Sequence, residues 1–222
     1  MNFLKRVIAV LRKDLLLEMR SRYAFNAVLA FVASSTMVVF FSLNTTLLTP
    51  ELYSGLLWVI ILFAAMASLS RSFVMETDRQ TFDLLRLNSE GTPVFVGKLI
   101  YNFSFTFIVS LLTALLFALL TSSFDSNFSA LILILLLGSL GFSSVSTLMA
   151  SLVSRANNKG AIFSVLCLPL LLPLIIILSD ATRQISSGAG ISVLPEPLSA
   201  LVGYCGVTIT LSILLFEYVW TD

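Results

Sequence analysis

The sequence contains no histidine, only two cysteines and little charge. Histidine is a common ligand of haem iron and a frequent acid–base catalyst, so its absence narrows the chemistry that this chain can perform by itself. Cys167 and Cys205 both lie inside apolar runs, which predicts buried thiols rather than a disulfide framework. Charged residues make up 11% of the 222 residues, whereas soluble domains contain about 25%.

Hydrophobic residues make up 58% of the chain and raise its mean hydropathy to +1.01. Such a composition leaves too little polar surface to cover a water-soluble globule. A helix needs about 20 apolar residues to cross a bilayer. We therefore predict an all-α integral membrane protein, in which a segment 1–22 precedes a domain 23–222 of six transmembrane helices. The predicted spans are 24–43, 52–70, 99–121, 128–153, 161–178 and 199–219.

The basic residues are concentrated in one set of connecting segments. Of the 13 lysines and arginines, six lie in the first 22 residues, four in the loop 71–98 and two in the connector 154–160, which leaves Arg183 on the opposite side. Lysine and arginine accumulate in the cytoplasmic segments of membrane proteins, so we expect both termini to be cytoplasmic. The net charge of +1 argues against an affinity for nucleic acid.

The first 22 residues have the pattern of an amphipathic helix. Leu4, Ile8, Leu11 and Leu15 share one face, whereas the basic residues point the other way. Five basic residues lie within an arc of roughly 120° around the helix axis, namely Lys5, Arg6, Arg12, Lys13 and Arg20. This segregation predicts a helix in the inner membrane interface, with membrane lipids as its partner. A simple positively charged anchor would explain the charges but not their confinement to one face.

The stretch "METDRQTFDLLRL" at 75–87 places charge between two long apolar runs. Thr77 and Gln80 have capping-box spacing, which predicts the start of a helix. The charged stripe of this helix would consist of Glu76, Arg79, Asp83 and Arg86, and the neighbouring apolar stripe of Met75, Phe82 and Leu85. Because so short a helix is marginal alone in water, it either docks on a cytoplasmic partner or rests on its own bundle.

The chain has no nucleotide-binding loop of its own. The stretch "GTPVFVGK" at 91–98 has five residues between its glycines and is followed by Leu99, whereas a phosphate-binding loop needs four residues and a following Ser or Thr. We expect Lys98 to extend towards the inner interface instead.

Glu217 is either an interfacial residue or a buried functional carboxylate. Asp180 and Arg183 are expected to form a solvated pair. No catalytic triad, metal-ligand cluster or intramembrane carboxylate pair is evident, so an enzyme is not predicted.

Two further features lie within the fourth and fifth spans. Small and hydroxyl residues repeat along the fourth span and predict a close helix contact, within the chain or between two copies. They are Gly138, Ser139, Gly141, Ser143, Thr147 and Ser151. In the fifth span Pro169 and Pro173 lie one turn apart, which predicts kinks because each proline removes a backbone hydrogen bond.

Two blocks of the sequence resemble the haem exporter protein B family, the CcmB-like permeases of the cytochrome c maturation system. One block is "RSFVMETDRQTFDLLRL…GTPVFVGKL", although Arg79 and Gln80 stand where the family usually has a glycine. The other is "LGSLGFSSVSTLMASLVSRANNKGAIFSVLCLPLLLPLIIILSDAT". The resemblance implies an ABC export-type permease in a bacterial inner membrane, with 1–22 as its interface helix and 76–87 as a coupling helix that docks on an ATPase.

The resemblance also implies the partners of the chain. ATP would be bound by a cytoplasmic ABC ATPase subunit and haem by a C-type membrane subunit, together with a small accessory membrane subunit and two copies of this chain. Because the chain lacks histidine, we expect it to bind no cofactor and to act as a mechanical element. An ABC exporter of lipid, polysaccharide or drug and a non-transporting scaffold are the alternative interpretations.

Overall fold

The computed structural model describes residues 3–43, 49–69, 91–121, 128–153, 159–187 and 195–221. Within these ranges the chain forms seven α-helices and no strand. The helices are α1 (Phe3–Ser21), α2 (Tyr23–Ser42), α3 (Pro50–Leu69), α4 (Gly91–Thr121), α5 (Phe128–Val153), α6 (Lys159–Ser186) and α7 (Pro195–Thr221).

Six of these helices, α2 to α7, are long and apolar enough to cross a membrane. The prediction of an all-α protein with six spans is therefore confirmed, and the chain is a multi-pass membrane protein. Several helices extend past the predicted spans: α4 begins at Gly91 rather than 99, and α6 continues to Ser186 rather than 178. The reason is that a helix satisfies its backbone hydrogen bonds internally, so it continues through charged residues at which a hydropathy criterion stops.

Prolines and acidic residues mark the beginnings of α3 and α7. Pro50 and Pro195 each occupy the first helical position, where the missing N–H costs nothing because it would have no partner in the helix. Glu51 and Glu196 follow in the first turn, where a carboxylate interacts favourably with the helix dipole.

The bundle is built around α5 and α3. Helix α5 contacts α4, α6 and α7, and α3 packs mainly on α6. Most residues of α3 and α5 are buried, whereas α2 and α7 lie at the periphery and expose most of their apolar side chains. The surface of the bundle is therefore apolar along these two helices, as a lipid environment requires.

Trp58 of α3 forms the centre of the core. Its side chain is fully buried, its indole N–H donates to Thr182 Oγ1 of α6 at 2.9 Å, and its ring stacks on Phe142 of α5 at a centroid distance of 6.2 Å. A Cβ atom at Gly138 would lie 2.6 Å from the Trp58 ring. Glycine at 138 is thus required by the close approach of α3 and α5.

We expect the substitution Gly138→Ala to lower the thermal stability of the purified protein. The added methyl group would overpack the Trp58 contact, which costs roughly 1–3 kcal/mol. Gly203→Ala in α7 is the matched control, since a Cβ at Gly203 meets nothing within 4 Å and alanine favours the helix. The measurement is the melting temperature in detergent. Equal melting temperatures for the two variants would contradict this account of the core.

Candidate functional site

The predicted coupling helix lies outside the residues that the structure describes, which stop at Leu69 and resume at Gly91. Its predicted docking residues Glu76, Arg79, Phe82, Asp83, Leu85 and Arg86 therefore remain a prediction. The structure does describe what holds the beginning of α4, the helix that directly follows this segment. That contact region, between α1, the first two turns of α4 and the end of α7, is here called the α4 collar.

Helix α1 has three faces rather than the two that its sequence suggested. The basic residues Lys5, Arg12 and Arg20 are exposed, and Arg6 and Lys13 are half-buried. The apolar residues Leu4, Ile8 and Leu15 are exposed as well, Leu11 being half-buried. A third face is buried, and it consists of Val7, Val10 and Asp14.

This third face packs against α4. Residues 7, 10 and 14 recur at helical spacing, and this was the signal in the sequence that could have revealed the contact. A Cβ at Gly97 would lie 2.9 Å from Val10 Cβ and 3.0 Å from the Val7 carbonyl oxygen. Glycine at 97 therefore allows the α1 and α4 backbones to come close together.

A buried ion pair joins the same two helices. Lys98 Nζ lies 3.2 Å from Asp14 Oδ2, and the exposed fractions of the two side chains are 1% and 10%. Lys13 Nζ lies 3.4 Å from the other oxygen, Asp14 Oδ1. The expectation that Lys98 extends to the interface is wrong, because α1 covers it and supplies a counter-ion. The sequence analysis also missed Asp14, whose partner is distant along the chain.

The end of α7 holds the other side of α4. A Cβ at Gly91 would lie 2.8 Å from the Trp220 ring, and Phe95 packs on Phe216 with ring centroids 5.0 Å apart. Thr92 Oγ1 donates to Glu217 Oε1 at 2.9 Å, and Glu217 is exposed in this chain. Two helices from opposite ends of the sequence thus enclose the beginning of α4.

Hydrogen bonds connect α4 with the predicted small-residue stripe of α5. Asn102 Nδ2 donates to Thr147 Oγ1 at 2.8 Å, and the Ser110 and Ser139 hydroxyl oxygens are 3.0 Å apart. All four side chains are buried. The structure places this contact within the chain. The Ser143 and Ser151 hydroxyl groups donate to carbonyl oxygens of their own helix, those of Leu140 at 3.0 Å and Leu148 at 2.6 Å.

The two glycines of that stripe contact other helices. Gly138 lies against Trp58 of α3, and a Cβ at Gly141 would lie 2.7 Å from Leu174 of α6. One face of α5 is therefore used for hydrogen bonds to α4 and another for close packing. The polar residues of α4 were missed by the sequence analysis, although Asn102, Thr106 and Ser110 recur every four positions.

Helix α6 continues through both prolines, from Lys159 to Ser186. The hydroxyl group of Tyr204, in α7, donates to the Leu170 carbonyl oxygen at 2.5 Å, beside Pro169. This contact lies between the two prolines, whereas the carbonyl groups that lose an N–H partner to Pro169 and Pro173 are those of residues 165 and 169. Whether the prolines bend α6 remains a prediction.

The far end of the bundle carries a small charged group. Arg183 Nη2 lies 2.5 Å from Asp180 Oδ1, and both side chains are nearly half exposed. Glu51 Oε1 lies 3.9 Å from Arg183, and Gln184 Nε2 donates to Asp180 Oδ2 at 2.7 Å. This matches the expected solvated pair, which contributes little to stability because water screens it.

Among the described residues, no group of three or more His, Cys, Asp or Glu side chains could hold a metal ion. Cys167 and Cys205 are buried free thiols. The Cys205 Sγ atom lies 3.4 Å from the Leu137 carbonyl oxygen, to which it donates.

The comparison with known proteins agrees with this architecture. The model of the family described as CcmB protein matches residues 5–217. The chain belongs to the CcmB protein family. The match covers α1 from Lys5 and α7 as far as Glu217, so it includes the residues described for the α4 collar except Trp220.

Two similar proteins carry the name "Heme exporter protein B". One is from Rhodobacter capsulatus and is 29% identical over 205 residues, which are 91% of this chain and 93% of the relative. The other is from Paracoccus denitrificans and is 29% identical over 205 residues, 90% of each chain. This CcmB-family chain and these relatives therefore correspond over nearly their whole length.

We expect Lys98→Met to destabilise the protein strongly, because it leaves the buried Asp14 carboxylate with only the partly exposed Lys13 beside it. Breaking a buried pair by removing one ion costs about 3–5 kcal/mol. The double variant Asp14→Leu, Lys98→Met is expected to recover most of the loss. Melting temperatures in detergent measure both effects.

The control for this prediction is Lys13→Gln. Lys13 also lies near Asp14, but 34% of its side chain is exposed, so the cost is expected to be about 1 kcal/mol or less. If the double variant were no more stable than Lys98→Met, the ion pair would not be what joins α1 to α4.

Proposed function

We propose that this chain is the membrane-spanning subunit of a haem-exporting ABC complex that serves cytochrome c biogenesis. The family match over residues 5–217 carries the proposal. Both relatives are named as haem exporters, from which we infer haem as the cargo. The six apolar helices agree with a permease. Both termini are proposed to lie on the cytoplasmic side of a bacterial inner membrane, since the lysines and arginines are concentrated in segments of one side.

ATP binding is assigned to a separate subunit, because the stretch at 91–98 does not have the spacing of a phosphate-binding loop. The proposed contact with that subunit is the coupling helix 76–87. Its charged stripe would set the register on the ATPase, and Phe82 and Leu85 would be the buried anchors. This segment lies between α3 and α4, so a displacement of it would act on the end of α3 and on the beginning of α4.

The α4 collar suggests how such a displacement reaches the rest of the bundle. Close packing at Gly97 and the Asp14–Lys98 pair fix α4 to α1, and packing at Gly91 fixes it to α7. The Asn102–Thr147 and Ser110–Ser139 hydrogen bonds then connect α4 to α5. We infer that α1, α4, α5 and the end of α7 move together when the ATPase changes shape.

Haem ligation is assigned to a partner subunit. The chain has no histidine, which is the common protein ligand of haem iron. A C-type membrane subunit and a small accessory membrane subunit complete the proposed complex, with two copies of the present chain for each ATPase dimer. In this arrangement the chain transmits force and the partner holds the cargo.

The docking helix is tested by Phe82→Ala and by the charge reversal Asp83→Arg. Loss of a buried aromatic anchor costs about 2 kcal/mol or more, which corresponds to a roughly 30-fold weaker contact. Co-purification of the ATPase from native membranes and stimulation of its turnover are the two measurements.

Asp180→Asn is the matched control for the docking test, since it removes a charge at the opposite end of the bundle. The coupling assignment is wrong if the ATPase stays bound to both docking variants as firmly as to the wild type. It is also wrong if Asp180→Asn releases the ATPase to the same extent.

The cargo is tested in cells that lack this chain. We expect them to accumulate c-type apocytochromes without covalent haem, and the wild-type chain supplied in trans to restore haem attachment. Haem staining of membrane and periplasmic fractions measures the holocytochromes, and b-type cytochromes are the control for haem synthesis. Normal c-type cytochromes in the deletion strain would favour an exporter of another cargo.

A further inference from the structure

An apolar groove lies between α2 and α4. Its volume is about 160 Å³. Val28, Val32 and Val109 are buried at its floor, whereas Leu29 and Leu115 are exposed at its rim. The residues that line it, all of them apolar, are Phe25, Val28, Leu29, Val32, Val109, Leu112, Leu115 and Leu116.

The size and chemistry of the groove restrict its occupant. Apolar cavities of roughly 150 Å³ hold a molecule as large as benzene, whereas sites for drug-sized ligands measure about 300–1,000 Å³. A stretch of hydrocarbon chain therefore fits, and a macrocycle does not. The groove offers no polar side chain to a ligand, and both helices that form it are predicted to cross the membrane. Its occupant is therefore expected to come from the lipid.

The corner between α1 and α2 lies next to the groove. Arg22 alone separates the two helices, and its φ of 51° is the one positive φ of a non-glycine residue in the described ranges. Its N–H donates to the Glu18 carbonyl oxygen at 2.7 Å. Glycine is the usual residue at such a corner because it adopts this conformation without strain. An arginine at this position therefore suggests that its positive charge has a functional role.

The corner between α1 and α2 carries more positive than negative charge. Arg20 and Arg22 are both exposed. The nearby carboxylate, Glu18, already accepts a hydrogen bond from the Phe25 N–H at 2.9 Å, in the first turn of α2. The corner therefore presents two guanidinium groups to the surroundings and only one carboxylate, which is engaged with the backbone. Guanidinium groups bind phosphate oxygens through paired hydrogen bonds.

We propose that this corner and the groove form a binding site for one anionic glycerophospholipid. Arg20 and Arg22 hold its phosphate head group, and one acyl chain occupies the space between α2 and α4. Phe25, the first lining residue, follows Arg22 by three residues, or about 5 Å of helix rise. The head group and the chain of one lipid can therefore occupy the two parts together.

The bound lipid would fasten α2 to the bundle. Helix α2 is among the least buried helices of this chain, and the groove is a gap in its contact with α4. An acyl chain in the gap would restore van der Waals contact on both walls. This site does not depend on the proposed export function, because it requires only that the chain lies in a membrane.

Native mass spectrometry of the full chain in detergent tests the site. The protein is titrated with phosphatidylglycerol and with phosphatidylcholine of the same acyl chains, and we expect the anionic lipid to bind more tightly. Arg22→Gly removes a charge and relieves the positive φ, so it should leave the fold intact and weaken phosphatidylglycerol binding about fivefold. Arg20→Gln is expected to have a similar effect. Phosphatidylcholine also carries a phosphate, but its choline cation cancels the net charge, so both variants should weaken its binding less than that of phosphatidylglycerol.

The groove is tested by Leu29→Trp, which adds bulk at the rim, and by Val109→Trp, which fills the floor. Both are expected to weaken the binding of the two lipids alike, and the rim variant remains informative if the floor variant fails to fold. Arg12→Gln is the matched control, since Arg12 is an exposed basic residue of α1 away from the corner.

Four results would each overturn the proposal. They are equal affinity of the wild type for the two lipids, an effect of Arg12→Gln as large as that of Arg22→Gly, unchanged lipid binding in both groove variants, and displacement of phosphatidylglycerol by millimolar inorganic phosphate. A dimer of this chain that dissociates in the groove variants would assign the groove to a second copy instead.

Discussion

Asp14 and Lys98 lie together inside the protein, where each charge offsets part of the cost of burying the other. Their pairing fixes α1 against α4, and Gly97 lets the two backbones come close enough for the pair to be covered. The rest of the arrangement follows from this contact. The position of α1 determines where α2 begins, since Arg22 alone separates the two helices. The position of α4 determines its register on α5.

Polar contacts give the apolar bundle its register. Contacts between leucine, valine and phenylalanine side chains are not directional, so they alone would tolerate small shifts of one helix along another. Hydrogen bonds such as Asn102–Thr147 and Trp58–Thr182 fix the position of one helix along its neighbour and its rotation about its own axis. They are effective because the bilayer interior contains no water to compete for the same donors. Bulky residues then pack around glycines, as Trp58 does at Gly138.

The peripheral helices differ from this core in what they expose. Helices α2 and α7 present mostly apolar side chains, and α1 presents a basic face and an apolar face beside the one that it buries. Close contacts surround the beginning of α4, whereas α1, α2, α6 and α7 carry much of the exposed apolar surface among the described residues.

The sequence by itself determined the class of the protein, the six spans and the amphipathic first helix, because hydropathy and helical spacing are local properties of the chain. It also identified the small residues of α5, though not which helix each of them contacts. Only the tertiary structure revealed Asp14 as the partner of Lys98, the third face of α1, and Asn102 opposite Thr147. These contacts join residues distant along the chain, and no local pattern specifies which distant segment will supply a counter-ion or a hydrogen-bond acceptor.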